Sequence, residues 1–196
     1  MKKPFNPILG ETFQGHYSGD PIYIEQICHH PPLTQFLIYG KHYKMEALFR
    51  PEPSLELNAA LIQNLGKATI YFENTKNKID YMALQLRMSG IMAGKMLINI
   101  INFSMIWSKE TEQIAVVWFG KEEGLMKDHI KGAIYKANKE QIQEFIDSEM
   151  FKCQKEARIK EYFREFEKES DIEGYWTHYI KFDDVKYWEF DKVKPY

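Results

Sequence analysis

The chain has 196 residues, 44% of them hydrophobic and 28% charged, and a formal net charge of −2. That length holds one domain with a substantial core, and that charge lacks the basic excess by which proteins displace counterions from nucleic acid. Two cysteines, Cys28 and Cys153, cannot make a disulfide framework, so a reducing compartment is expected.

The opening MKKPFNPILGETF carries no apolar leader core, so no signal peptide is expected. Its Lys3-Pro4-Phe5-Asn6-Pro7-Ile8-Leu9-Gly10-Glu11-Thr12 reads as a rigid polar loop ahead of a strand, with Lys3 supplying a charge and Asn6 both a donor and an acceptor. Two strands follow, Tyr23–Ile27 and Thr34–Tyr39, separated by His29-His30-Pro31-Pro32. Proline cannot continue a sheet ladder, and the residue before it is held extended. The break therefore presents two imidazoles at a strand end, where they can act as donors to an anion. They serve one ligand only if the chain turns there.

Further on, Met82, Leu84, Leu86 and Met88 alternate as a half-buried strand does. Leu97, Ile101, Phe103, Met105 and Trp107 load one face of the next, and Ile114 to Phe119 is a short apolar run. The most apolar stretch, Met88 to Trp107, is interrupted by Gly90, Gly94, Lys95, Asn99 and Asn102, too polar for a lipid-spanning helix. An aromatic content of 15% suits strands and apolar pockets. Many short strands divided by turn signals predict a curved antiparallel sheet from about Gly10 to Tyr135.

The texture changes at Asn138. From there to Ser170 the chain is highly charged, without Gly or Pro, and Ile142, Phe145, Ile146, Met150, Cys153 and Ala157 fall near a helical stripe. Asn138 is a plausible N-cap with Gln141 as its capping-box partner. One long amphipathic helix, or two with a bend, is expected. Glu161-Tyr162-Phe163-Arg164-Glu165 reads as a solvated helix face with two buried rings. The aromatic tail, Tyr175 to Tyr196, is expected to pack back on the sheet.

The motif inventory argues against catalysis. Cys28, His29 and His30 are adjacent, without the gapped spacing that lets ligands converge on one metal. The chain has no G-x-S-x-G, P-loop or G-x-G-x-x-G, and no orienting acid marks a Cys–His nucleophile. No enzyme activity, cofactor or metal is expected.

Taken together, Lys3–Glu11 and Glu25-Gln26-Ile27-Cys28-His29-His30-Pro31-Pro32 resemble, in order and spacing, the two barrel motifs of the oxysterol-binding protein-related family. A looser likeness runs on to Gly132-Ala133-Ile134-Tyr135. The sequence departs from the family at Cys28, where Ser is usual, and at Gln35, where Ala is usual. The family's Lys–Glu–Arg set near the headgroup falls on Asp147, Phe151 and Lys155, of which Lys155 alone keeps a suitable charge.

The resemblance implies a mainly β fold with a C-terminal helix (α+β): a curved antiparallel sheet forming a complete or partial lipid-binding β-barrel, shortened at both ends. It implies a barrel core at 1–137, with a long helix and tail at 138–196 in the same domain. It also implies binding and transfer of a membrane lipid: a sterol, phosphatidylserine, or a phosphoinositide such as phosphatidylinositol 4-phosphate. Lys3, Asn6, His29, His30 and Lys155 are the implied headgroup residues, and strands such as Met82–Met88 and Leu97–Trp107 the tunnel wall. A cytoplasmic protein in peripheral contact with organelle membranes or contact sites is expected. The alternative is a lipid sensor or protein scaffold without a working lid.

Overall fold

The computed structural model describes residues 7–120, 128–153 and 155–190. Its first four strands are β1 (Thr12–Tyr17), β2 (Asp20–Cys28), β3 (Leu33–Tyr39) and β4 (Tyr43–Phe49), a simple antiparallel meander. β4 next pairs with β7 (Lys67–Phe72) and β7 with β8 (Lys78–Met82). The sheet then continues through β10 (Leu97–Ser108), β11 (Gln113–Phe119), β12 (His129–Lys136), β13 (Lys168–Tyr175), β14 (Tyr179–Phe182) and β15 (Val185–Glu189). Its order leaves β1 and β15 as two unpaired edges, so the barrel is open.

Three further strands leave this path. β5 (Pro51–Glu56) pairs with β6 (Ala59–Asn64), β6 with β9 (Gln85–Ser89), and β9 with the first half of β10. The corner lies at Asn102, a non-glycine residue with φ of 62°, an uncommon conformation that Asn tolerates better than most residues. There β10 stops pairing with β9 and starts pairing with β11. The alternating run Met82–Met88 is accordingly not one strand: β8 ends at Met82 and β9 begins at Gln85.

The register assigns the two faces of the main sheet, because side chains alternate across a strand. On one face Phe103, Met105 and Trp107 join Ile114 and Val116 under the helical segment, packing against Ile142, Phe145, Met150, Ile159 and Phe163. Trp107 meets Phe145 edge-on at 5.4 Å between ring centroids. These β10 side chains, expected to line a tunnel, instead form the seat of the helices.

The C-terminal helical segment takes the bent form and stops short of Ser170. α1 (Lys139–Asp147) begins with the Asn138–Gln141 capping box. The chain turns through left-handed Glu149 (φ 52°) into a 3₁₀ turn at Met150–Lys152, and α2 (Glu156–Tyr162) follows, then a second 3₁₀ turn at Phe163–Glu165. A straight helix from 138 to 170 would run about 50 Å at about 1.5 Å per residue, past the sheet it must cover. Breaking it lets Phe145, Phe151, Tyr162, Phe163 and Phe166 share one cluster. Residues 168–175, expected to be helical to Ser170, form β13 because β12 offers an open edge and buried Ile172 faces Gly132 across it. The aromatic tail extends the sheet as β14 and β15.

Candidate functional site

The opposite face of the main sheet carries an apolar row across its strands. Phe13, Ile24, Phe36, Ala47, Ala68, Tyr81, Ile106, Ala115 and Ile134 are successive cross-strand partners from β1 to β12. Around Ile106, Ala115 and Ile134 the sheet curls over a cavity of about 430 Å³ that Val117, Ile130, Ile172 and Phe182 also line. That volume lies within the roughly 300–1,000 Å³ of small-molecule sites. Burial raises the pKa of the half-buried Tyr81 phenol in this row by disfavouring its charged form.

One row toward the β2–β3 turn the same face changes character. There Gln26 and Thr34 are cross-strand partners, with Phe49 beyond them. Gln26 is 3% exposed. Its Nε2 donates to the Cys28 carbonyl at 2.6 Å, and its Oε1 accepts from the Thr34 hydroxyl at 2.5 Å. One amide thereby ties together both strands of the hairpin that carries the imidazoles. Sequence reasoning missed this residue. The signal was present: Gln26 is polar, yet in phase with Ile22 and Ile24 on the apolar face.

The hairpin turn brings His29 and His30 together, their ring centroids 4.4 Å apart. Both are exposed, and neither hydrogen-bonds or ion-pairs with another described residue. Two adjacent ring N–H groups can thus reach one anionic ligand. The first motif is docked beside this turn. Gly10 N donates to the Gln26 carbonyl at 2.8 Å, and Gln26 N to the Glu11 carbonyl at 3.0 Å. The Glu11 carboxylate accepts from Ile8 N at 2.9 Å and closes that loop. Lys3 and Asn6 lie outside the described residues.

The turn sits on one rim of the sheet. Thr34 pairs with Phe49, Ala47 with Ala68, and Lys67 with Met82, so the starts of β3 and β7 and the ends of β4 and β8 share that rim. Asn64 braces it, its Oδ1 accepting from Arg50 N at 2.7 Å and Gly66 N at 3.0 Å. The segment Phe151–Cys153 packs at this rim, against Met82, Phe103 and Asn64. Lys155 follows at the start of α2, its side chain exposed and its carbonyl accepting from the Cys153 thiol. It is at the histidine end of the sheet, but β4, β7 and β8 stand between, and it contacts neither imidazole. Among the described residues no group of His, Cys, Asp or Glu could hold a metal, and no helix is long and apolar enough to cross a membrane.

An open, curled β-sheet with a largely apolar face and a polar, imidazole-bearing rim defines a hydrophobic-ligand-binding class of fold. The oxysterol-binding protein model matches residues 1–190, and the chain belongs to that family. It is 26% identical over 208 residues to oxysterol-binding protein 9 of Dictyostelium discoideum, covering 98% of this chain and 45% of that one. It is 29% identical over 128 residues to protein kes1 of Schizosaccharomyces pombe, covering 61% and 33%. The chain thus spans less than half the length of these relatives. In fold it is similar to the Osh3 ORD of Saccharomyces cerevisiae, solved in complex with PI(4)P: TM-score 0.68 at 18% identity, over 96% of this chain and 45% of that one. The Osh1 ORD domain in complex with cholesterol gives 0.66 at 19%, over 91% and 37%.

Proposed function

We propose that this chain binds a membrane lipid and carries it between membranes, with no catalytic step. The observation that supports this best is the continuous apolar row from Phe13 to Ile134, flanked one row over by Gln26 and Thr34 beside the imidazole pair. Lipid chains or sterol rings need a dry surface, and burying each methylene contributes about 0.8 kcal/mol. A phosphate needs donors at the edge of that surface, and His29 and His30 supply them. Lys3, Asn6 and Lys155 complete the headgroup site in this reading. The fold relatives solved with PI(4)P and with cholesterol favour a phosphoinositide or a sterol as cargo; phosphatidylserine is the further candidate. Residues 1–137 and 138–196 act as one binding unit, cytoplasmic and peripheral at organelle membranes.

The test is mass spectrometry of lipids extracted by the purified protein from mixed vesicles. Stoichiometric sterol or phosphoinositide in the protein fraction is expected. The open sheet edges at β1 and β15 favour a second reading, a lipid sensor or protein scaffold, and protein that emerges lipid-free from every vesicle mixture would establish that one.

A further inference from the structure

The strands β5, β6 and β9, with the first half of β10, all project from the histidine rim. β4 reaches that rim at Phe49 and β8 reaches it at Met82. β5 and β9 continue beyond it, and β6 and the first half of β10 return to it, with Leu65 N donating to the Arg50 carbonyl at 2.9 Å. At about 3.3 Å per residue, a six-residue strand carries the β5–β6 turn roughly 20 Å past the rim.

The two tips of this extension are bound into one unit. Asn58 Nδ2 donates to the Ala93 carbonyl at 2.9 Å, and its Oδ1 accepts from Met92 N at 2.9 Å and Ala93 N at 3.2 Å. Its carbonyl accepts from Gly90 N at 2.9 Å. This polar clamp holds out large apolar side chains. Leu55 is 85% exposed, Leu57 92%, Met92 80%, and Met96 and Ile98 each 59%. Isolated exposed apolar residues are ordinary; a contiguous group marks an interaction surface.

Charge selects the occupant. From Gly90 to Asn99 the one formal charge is Lys95, exposed and without an ion-pair partner among the described residues. On the other tip Glu56 is neutralised by Arg87 at 2.7 Å. Among the described residues the tip therefore offers apolar mass and one unpaired cation, with no unpaired acid. Protein interfaces are anchored by Trp, Tyr and Arg, and the tip presents no aromatic ring and has its one Arg already engaged. An apolar projection with a basic flank is what enters a bilayer interface, and anionic lipid attracts the cation.

We propose that the joined β5–β6 and β9–β10 tips insert into the surface of an anionic bilayer. Leu57 and Met92 are the anchors, and Lys95 faces the headgroups. This deepens the lipid-carrier reading and rests on it: the tip and the imidazole turn leave the sheet by the same end, so insertion sets the rim toward the membrane that supplies or receives the lipid.

The experiment is sedimentation of the full chain with phosphatidylcholine vesicles, with and without 20% phosphatidylserine, both lacking phosphoinositide and sterol. Leu57→Ser/Met92→Ser is expected to weaken binding more than tenfold, and Lys95→Glu to remove most of the phosphatidylserine preference. In Met92→Trp the indole fluorescence should shift blue with vesicles and be quenched by brominated acyl chains, a readout independent of how the serine variant folds. Unchanged binding by the serine variant, or an unquenched Trp, overturns the proposal. So does a native dimer that the serine variant dissociates without loss of vesicle binding, since a second copy then covers the tip. A fluorescent sterol and a water-soluble short-chain phosphatidylinositol 4-phosphate, both supplied without a bilayer, separate the two ideas. Uptake without vesicle binding refutes insertion alone; vesicle binding without uptake of either refutes the carrier reading alone.

Discussion

The Thr34 hydroxyl donates to Gln26 Oε1 at 2.5 Å across the β2–β3 pair, and the same amide donates to the carbonyl of Cys28. This contact lies beside the imidazole turn, with Gln26 buried and Thr34 half-buried. Removing one partner of a buried hydrogen bond costs about 1–3 kcal/mol. Gln26→Ala should lower stability by that amount in urea titration and also weaken headgroup binding, because the turn loses its tie to β3. Thr34→Val in the Gln26→Ala background should cost little more, since the two report one interaction.

The imidazole pair should matter for one ligand class only. A charge-assisted hydrogen bond contributes about 1.5–3 kcal/mol, so His29→Ala/His30→Ala should weaken phosphatidylinositol 4-phosphate binding by well over tenfold. Sterol binding should change much less, because it depends on the apolar face. Isothermal titration with both lipids separates the two outcomes; equal loss of both would return the histidines to a structural role.

The cavity makes the converse prediction. Ala115 lines it, between Ile106 on β10 and Ile134 on β12. Ala115→Phe should fill part of the space and reduce sterol uptake several-fold while leaving the histidine turn intact. A transfer assay with fluorescent sterol, paired with binding of a soluble inositol phosphate headgroup, reads both.

Asp80 predicts the acid limb of stability. Burial raises its pKa, but a hydrogen bond from Thr69 and the ammonium groups of Lys67 and Lys78, each 3.2 Å away, outweigh burial and hold it below the ordinary value. A carboxyl whose folded pKa is depressed contributes stability that is present above its unfolded pKa, near pH 4, and lost as pH falls through the folded pKa. Asp80→Asn should therefore flatten the fall in urea midpoint below about pH 4. A native and a variant curve that drop in parallel would contradict this.

The helical segment should be integral to the fold. Phe145 is fully buried and packs against Trp107, Phe151, Tyr162 and Phe163. Phe145→Ala should cost about 3–5 kcal/mol by creating a cavity. Asn138→Ala, which removes only the helix cap, should cost about 0.5–2 kcal/mol. Thermal melts should rank them in that order.

Local chemistry made much of this protein legible from its residues alone. Strand-like patterns marked β2, β3, β10 and β11, Asn138 and Gln141 marked the start of α1, and two prolines after His30 marked the turn that pairs the imidazoles. Each of these is written within a few neighbouring residues. The fate of Lys168–Tyr175 was not, because its charged run satisfies a helix as well as a strand until β12 offers an edge. Nor was the fate of the Phe103, Met105 and Trp107 face: an apolar face suits a ligand or a helix equally, and only the helices that arrive from residues 139–163 decide what covers it. The choice between one helix after Asn138 and two with a bend was open for the same reason. The segment's rings had to converge on one patch of sheet, and that demand arises from packing across the fold rather than from any local breaker. The meeting of the two tips at Asn58 likewise joins residues far apart in sequence, and only the tertiary structure brings them within hydrogen-bonding distance.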